Sequence, residues 1–147
     1  MKPDLLLYEV GGERIVLKDY GSKPQAWLRL WGSMTTRREA RALRALRGVR
    51  GVPALRGRPG PFSVAMSYVP GERACAADPR LRGNERFLEA LEDVVRQVHA
   101  RSVVHLDLKH RSNLHVSAEG APVILDFESA LCFDPRSAIG RLAVWLL

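Results

Sequence analysis

The stretch from His105 to Glu128 constrains this chain of 147 residues more than any other. It reads His105-Leu106-Asp107-Leu108-Lys109, then Asn113, then Leu125-Asp126-Phe127-Glu128. Between the last two, Leu114-His115-Val116 and Val123-Ile124-Leu125 flank a polar segment, Ser117 to Pro122, that contains Gly120 and Pro122. Apolar run, polar turn and apolar run predict a short β-hairpin. A hairpin brings the chain back to its starting end. Asn113 just before it and Asp126 just after it can then reach one metal ion. Oxygen ligands of this kind suit Mg²⁺, which takes one or two carboxylates together with substrate phosphates; Mn²⁺ is the alternative ion. Asp107, on the loop entering the hairpin, is placed to accept a proton or position a nucleophile. The competing reading makes the same residues helix caps and a strand-end Asx turn.

Upstream, Leu5 to Val10 and Arg14-Ile15-Val16-Leu17-Lys18 flank Gly11-Gly12 and predict another hairpin. Thr36 to Arg47, rich in Ala, Leu and Arg, predicts a helix. Glu39, Leu43 and Leu46 fall at i, i+4 and i+7, so Glu39 shares the apolar face. A carboxylate there needs a partner, because burying it unpaired is costly. Lys18 is the candidate. A solvent-facing Lys18, with Glu39 making local arginine pairs, is the alternative. Phe62 to Val69 predicts a strand ended by Pro70-Gly71. Asn84 to Arg101 predicts a helix on which Phe87, Leu88, Leu91, Val94, Val95 and Val98 repeat at helical spacing, with Glu and Arg on the other face. His99 and His105 read as packing and loop-holding residues. Pro70 to Gly83 reads as a linker, and a further helix is expected after Pro135.

In this order, the landmarks resemble the protein-kinase-like superfamily, above all its small atypical members: the RIO-like group and the lipopolysaccharide-core sugar kinases. Glu128, where protein kinases carry Gly, is similar to choline and aminoglycoside kinases. The resemblance implies an α+β, minimal bilobal fold. Residues 1–69 would be an N-lobe of antiparallel sheet plus one helix, without the first strand and the Gly-rich loop. Residues 70–147 would be a truncated, mainly helical C-lobe with the catalytic hairpin. ATP and Mg²⁺ are the implied cofactors. Lys18, fixed by Glu39, would hold the α/β-phosphates. Met66 would gate the back pocket, and the Ser67 carbonyl and Val69 amide would bond the base. Asp107 would act on the acceptor hydroxyl, Lys109 would neutralise the moving γ-phosphate, and Asn113 and Asp126 would hold the metal. The acceptor would be a protein, sugar-lipid or small-molecule hydroxyl. The alternative is a pseudokinase, a nucleotide-binding or scaffold module without turnover.

The departures are specific. Only 17 residues precede Lys18, and Gly11-Gly12 lies too close to it to be a phosphate loop. Asn113 is one place later than the usual spacing from Asp107. Leu106 replaces the arginine that binds a phosphorylated activation loop, which argues against that switch. Glu128 adds charge beside the metal.

The net charge is +7, and Arg37, Arg38, Arg41, Arg44 and Arg47 stud one helix. Such a field attracts anions: ATP, anionic lipid, phosphosugar or RNA. A generic solvated helix face is the alternative, and no aromatics interleave the arginines as a single-strand platform needs. Cys75 and Cys132 form no C-x-x-C unit, so reduced thiols are expected. No signal peptide is expected ahead of Leu5, and no apolar run approaches the roughly 20 residues that span a bilayer. A cytoplasmic place is therefore expected, with the inner face of a membrane as its variant. The apolar end Ala143 to Leu147 would need a partner or a second copy to cover it.

Overall fold

The computed structural model describes residues 2–74, 81 and 83–134. Cys75, the helix expected after Pro135 and the apolar end lie outside them. In chain order the elements are β1 (Asp4–Val10), β2 (Glu13–Asp19), α1 (Ala26–Ala45), β3 (Leu55–Gly57), β4 (Ser63–Ser67), β5 (Glu72–Arg73), α2 (Glu85–Ala100), β6 (Val103–Val104), β7 (Leu114–Val116), β8 (Pro122–Ile124) and β9 (Leu131–Cys132).

β1 and β2 pair antiparallel without a break, from Asp4↔Asp19 to Val10↔Glu13. Gly11 and Gly12 close the hairpin with φ of +60° and +80°, the left-handed pair that a two-residue turn requires. β2 pairs with β4, and β4 with β3, in the sheet order β1-β2-β4-β3. The register Lys18↔Val64 and Val16↔Met66 puts these four side chains on one face. Helix α1 covers that face with Thr36, Glu39, Ala40 and Leu43, all buried.

α1 begins at Ala26 rather than at Thr36, and ends at Ala45 with Leu46 as its C-cap, short of Arg47. The first two turns escape a search for a buried stripe because their large apolar residues face solvent: Trp27, Leu30 and Met34 are each at least 60% exposed. What those turns bury is Gly32. A Cβ there would lie 2.3 Å from Cβ of Tyr20, so glycine is what lets the helix cross the buried tyrosine.

α2 runs where expected. Asn84 caps it by accepting a hydrogen bond from the Phe87 N–H at 3.1 Å, and Phe87, Val94 and Val98 are its buried residues. β7 and β8 form the expected hairpin, Leu114↔Ile124 to Val116↔Pro122. The stretch read as a linker contains β5, which adds to the far side of β7. β6 pairs with β9. Leu43, Val64, Met66, Val98, Ile124 and Phe127 belong to one core cluster, so the sheet with α1 and the hairpin with α2 share their interior. Gly51, in the loop after α1, touches the hairpin directly. Its carbonyl accepts the Ile124 N–H at 2.7 Å, and a Cβ at its φ of +79° would lie 2.5 Å from the Pro122 carbonyl oxygen.

Candidate active site

The site forms where β2, α1, the loop after β6 and the two ends of the β7–β8 hairpin meet. Lys18, near the end of β2, sends its Nζ to Glu39 Oε1 at 2.8 Å and to Asp126 Oδ1 at 2.6 Å. Its side chain is 11% exposed and that of Glu39 is 2% exposed. Burial works against the charge on Lys18, but the two carboxylates outweigh it and raise its pKa. Burial raises the Glu39 carboxyl, with Lys18 pulling the other way.

The hairpin does what its pattern predicts. The Leu125 N–H donates to the Asn113 carbonyl at 2.8 Å, which ties the two ends together next to Asp126. The extra residue before Asn113 is absorbed by a 3₁₀ turn, Arg111–Asn113. The turn swings the Asn113 side chain back, and its Nδ2 donates to the Asp107 carbonyl at 3.0 Å and to Asp107 Oδ2 at 3.1 Å. Asn113 Oδ1 accepts from the Ser112 hydroxyl at 3.1 Å. Asn113 is buried, while the Asp107 and Asp126 side chains are about one-third exposed, at 34% and 35%.

His105 holds the two loops together. Its Nδ1 accepts the Asp107 N–H at 3.3 Å, so its Nε2 carries the proton donated to the Leu125 carbonyl at 2.9 Å. Its ring meets Phe127 edge-on, with centroids 4.6 Å apart. Burial lowers its pKa, which favours the neutral ring, and the two hydrogen bonds set the tautomer. Three non-glycine residues have positive φ among the described residues: Ser102 at +58°, Leu106 at +62° and Asp126 at +65°. All three lie in the loop after α2 or at the exit of the hairpin. Side chains at such φ values cost backbone energy, and such strain concentrates at functional sites. Two of them bracket the site residues: Leu106 precedes Asp107, and Asp126 itself pairs with Lys18.

The remaining expected site residues fall in two places. Lys109 is exposed on the Asp107 loop and lines an apolar cavity of about 330 Å³ with Val98, His105 and Phe127. Met66 is 5% exposed and packs in the core. The Ser67 hydroxyl accepts the Ala54 N–H at 2.8 Å. The Val69 N–H makes no backbone hydrogen bond among the described residues.

Two contacts were not legible in the sequence. Asp126 reaches Lys18, and the Tyr20 hydroxyl donates to Glu128 Oε2 at 3.0 Å. Tyr20 is 1% exposed, and its pKa is raised by burial and then by Glu128. Two carboxylates, on Glu39 and Asp126, thus hold one buried lysine, and Asp107 and Glu128 add two more on the chain segments that carry Asn113 and Asp126. That surplus of negative charge, with Asn113 beside Asp107 and Asp126 half-open, fits a divalent cation carrying phosphates. No cluster of three acidic, histidine or cysteine side chains suited to a metal occurs among the described residues, so such an ion would take the rest of its shell from phosphate and water.

Sheet order, the helix on its Lys18 face and the hairpin between Asn113 and Asp126 define a protein-kinase-like fold. Two structures of the Rio2 kinase from Chaetomium thermophilum share it. The ADP/Mg²⁺–phosphoaspartate complex matches with a TM-score of 0.65 at 15% identity, covering 99% of this chain and 49% of that one. A second Rio2 structure matches with a TM-score of 0.67 at 15% identity, over 97% of this chain and 50% of that one. The chain therefore spans about half the length of the structures it matches. No protein-family model and no curated protein matches the sequence.

Proposed function

We propose that this chain is an ATP- and Mg²⁺-dependent phosphotransferase that passes a γ-phosphoryl group to an alcohol. The observation that carries the reading is the joint placement of Lys18 on Glu39 and Asp126 with Asn113 on Asp107. A structural lysine needs one carboxylate, not two on separate elements beside an asparagine–aspartate pair. Lys18 would bind the α/β-phosphates, kept charged and aimed by Glu39. Asn113 and Asp126 would hold Mg²⁺, with Mn²⁺ as the alternative; the ion supplies neutralisation of phosphate charge. Asp107, its orientation set by the Asn113 amide and by His105, would accept the proton of the acceptor hydroxyl. Lys109, exposed on the same loop, would meet the moving phosphoryl group. Met66 would back the base, and the Ser67 carbonyl and Val69 amide would bond its edge. Phosphoryl transfer leaves little covalent work to the protein, so positioning and electrostatics would supply most of the rate.

The acceptor fits a serine or threonine hydroxyl or a sugar hydroxyl, and the place of action is the cytoplasm or the inner face of a membrane. One observation favours the second reading, a nucleotide-binding pseudokinase: the Gly11-Gly12 turn that joins β1 to β2 is too tight to cover phosphates.

Calorimetry with ATP, with and without Mg²⁺, tests the site. Affinity that rises with Mg²⁺ is expected; equal affinity rules out the metal pair. Asp107→Asn then separates the two readings. Nucleotide binding should persist while phosphoryl transfer falls by roughly 10²–10⁴-fold, the usual contribution of a positioned base. If wild type and variant consume ATP at the same background rate with every acceptor class, Asp107 is structural and the pseudokinase reading holds.

A further inference from the structure

α1 has a face left mostly to solvent, on which only the Trp31 ring touches the core, edge-on against Tyr20. Trp27, Leu30, Trp31 and Met34 stand at i, i+3, i+4 and i+7, which makes one stripe. Their exposures are 68%, 65%, 40% and 60%. The same steps carried on along the helix reach Arg38 and Arg41, both exposed. The ridge from Trp27 to Arg41 is about 21 Å long at the helical rise, apolar in its first half and cationic in its second. Arg29 and Arg37 flank it. The helix carries a single acid, Glu39, and that residue is buried on the opposite face against Lys18. The arginines of the ridge thus have no acidic neighbour on their own helix to pair with.

We propose that this ridge is a docking surface for an anionic lipid bilayer. The inference rests on α1 alone and stands apart from the phosphotransferase reading. Tryptophan favours the headgroup boundary, where its ring is apolar and its N–H stays hydrated. Leucine and methionine reach the acyl chains just below, and arginine pairs with lipid phosphates. Both halves of the ridge are satisfied by one flat surface that is apolar beneath and anionic on top. A protein partner would need a groove matched to a convex helix, with an acidic wall beside an apolar one. The net charge of +7 draws the whole chain towards such a surface. No helix among the described residues is long and apolar enough to cross a membrane, so the association is a lateral one, made by the ridge.

The test is co-sedimentation of the full chain with vesicles of phosphatidylglycerol and phosphatidylcholine, and with vesicles of phosphatidylcholine alone. Tryptophan emission is followed in parallel. Binding to the anionic vesicles with a blue shift is expected, weakened by salt. Trp27→Ser with Leu30→Ser should weaken it by about tenfold or more, as loss of buried apolar side chains does. Arg38→Ala with Arg41→Ala should remove most of the preference for anionic lipid. Trp31 is left intact because its ring packs edge-on against Tyr20 at 5.8 Å. Far-ultraviolet dichroism and the melting temperature of the Trp27/Leu30 variant should match wild type, which shows that the fold is kept and keeps this test independent of the nucleotide site. The proposal is overturned by absence of binding, by equal binding to neutral vesicles, or by unchanged binding of either double variant. It is also overturned if the chain self-associates without lipid and the Trp27/Leu30 variant does not, because the ridge is then an interface between copies.

Discussion

Lys18 is the residue on which the most long-range chemistry converges. It is nearly buried, yet two carboxylates from different elements keep it charged. Removing it strands Glu39 in the interior, and breaking a buried pair from one side costs about 3–5 kcal/mol. Lys18→Ala should therefore weaken both stability and nucleotide binding, with Glu39→Ala doing so in part. Because the two touch, the double variant should fall short of the sum by roughly 0.5–3 kcal/mol. Additive effects in urea denaturation and ATP titration would show that the pair is not coupled. His105 makes a pH-dependent prediction of its own. Burial lowers its folded pKa below the ordinary value of 6.5. As pH falls below that value the unfolded chain takes up the proton first, so stability is lost as the medium acidifies. The melting temperature should drop between about pH 7.5 and 5.5, and His105→Gln should flatten that drop. An equal drop in the variant would assign the effect to other groups.

At the scale of elements, α1 is seated by a contact that admits no side chain. Gly32 crosses Tyr20 so closely that a Cβ would sit 2.3 Å from the tyrosine Cβ. Alanine is the better helix former by about 1 kcal/mol, so a free helix would gain from Gly32→Ala. Here the gain is overridden by a clash with a fully buried ring whose hydroxyl is committed to Glu128. Overpacking of this kind costs about 1–3 kcal/mol. The urea midpoint should therefore fall in Gly32→Ala, and a rise would mean that α1 is not fixed against Tyr20. The 3₁₀ turn before β7 is a second element with a single task. It absorbs one residue of excess length and still delivers Asn113 to Asp107.

For the whole molecule, the shared core sets the geometry of the cleft. Phe127 is 0% exposed. It lies in one cluster with Leu43 of α1, Met66 of β4 and Val98 of α2, directly after Asp126. Phe127→Ala should cost about 3–5 kcal/mol. It should lower one cooperative transition seen alike by far-ultraviolet dichroism and by tryptophan fluorescence. Two separate transitions, with only one of them moved, would show that the sheet with α1 and the hairpin with α2 do not unfold together. Position in this core also explains why Asp126 adopts a left-handed backbone: the buried ring beside it and the Lys18 pair above it fix the residue from both sides.

The sequence by itself determined what short-range rules encode. Gly11-Gly12 fixed the first hairpin, the alternation around Ser117 to Pro122 fixed the second, and the apolar repeat with an Asn84 cap fixed α2. The single acid on the apolar stripe of a helix, set against a strand-end lysine, was enough to pair Glu39 with Lys18. Tertiary structure alone decided the rest. The first turns of α1 expose their large apolar residues, so no buried stripe announces them. β5 is two residues long and exists only because β7 lies beside it. The Lys18–Asp126 and Tyr20–Glu128 contacts each join residues 108 positions apart. The left-handed backbone at Leu106 and Asp126 carries no glycine to mark it. Periodicity and turn chemistry report on neighbours within a few residues. Which carboxylate reaches a given lysine across the chain is settled only when a common core has closed around both.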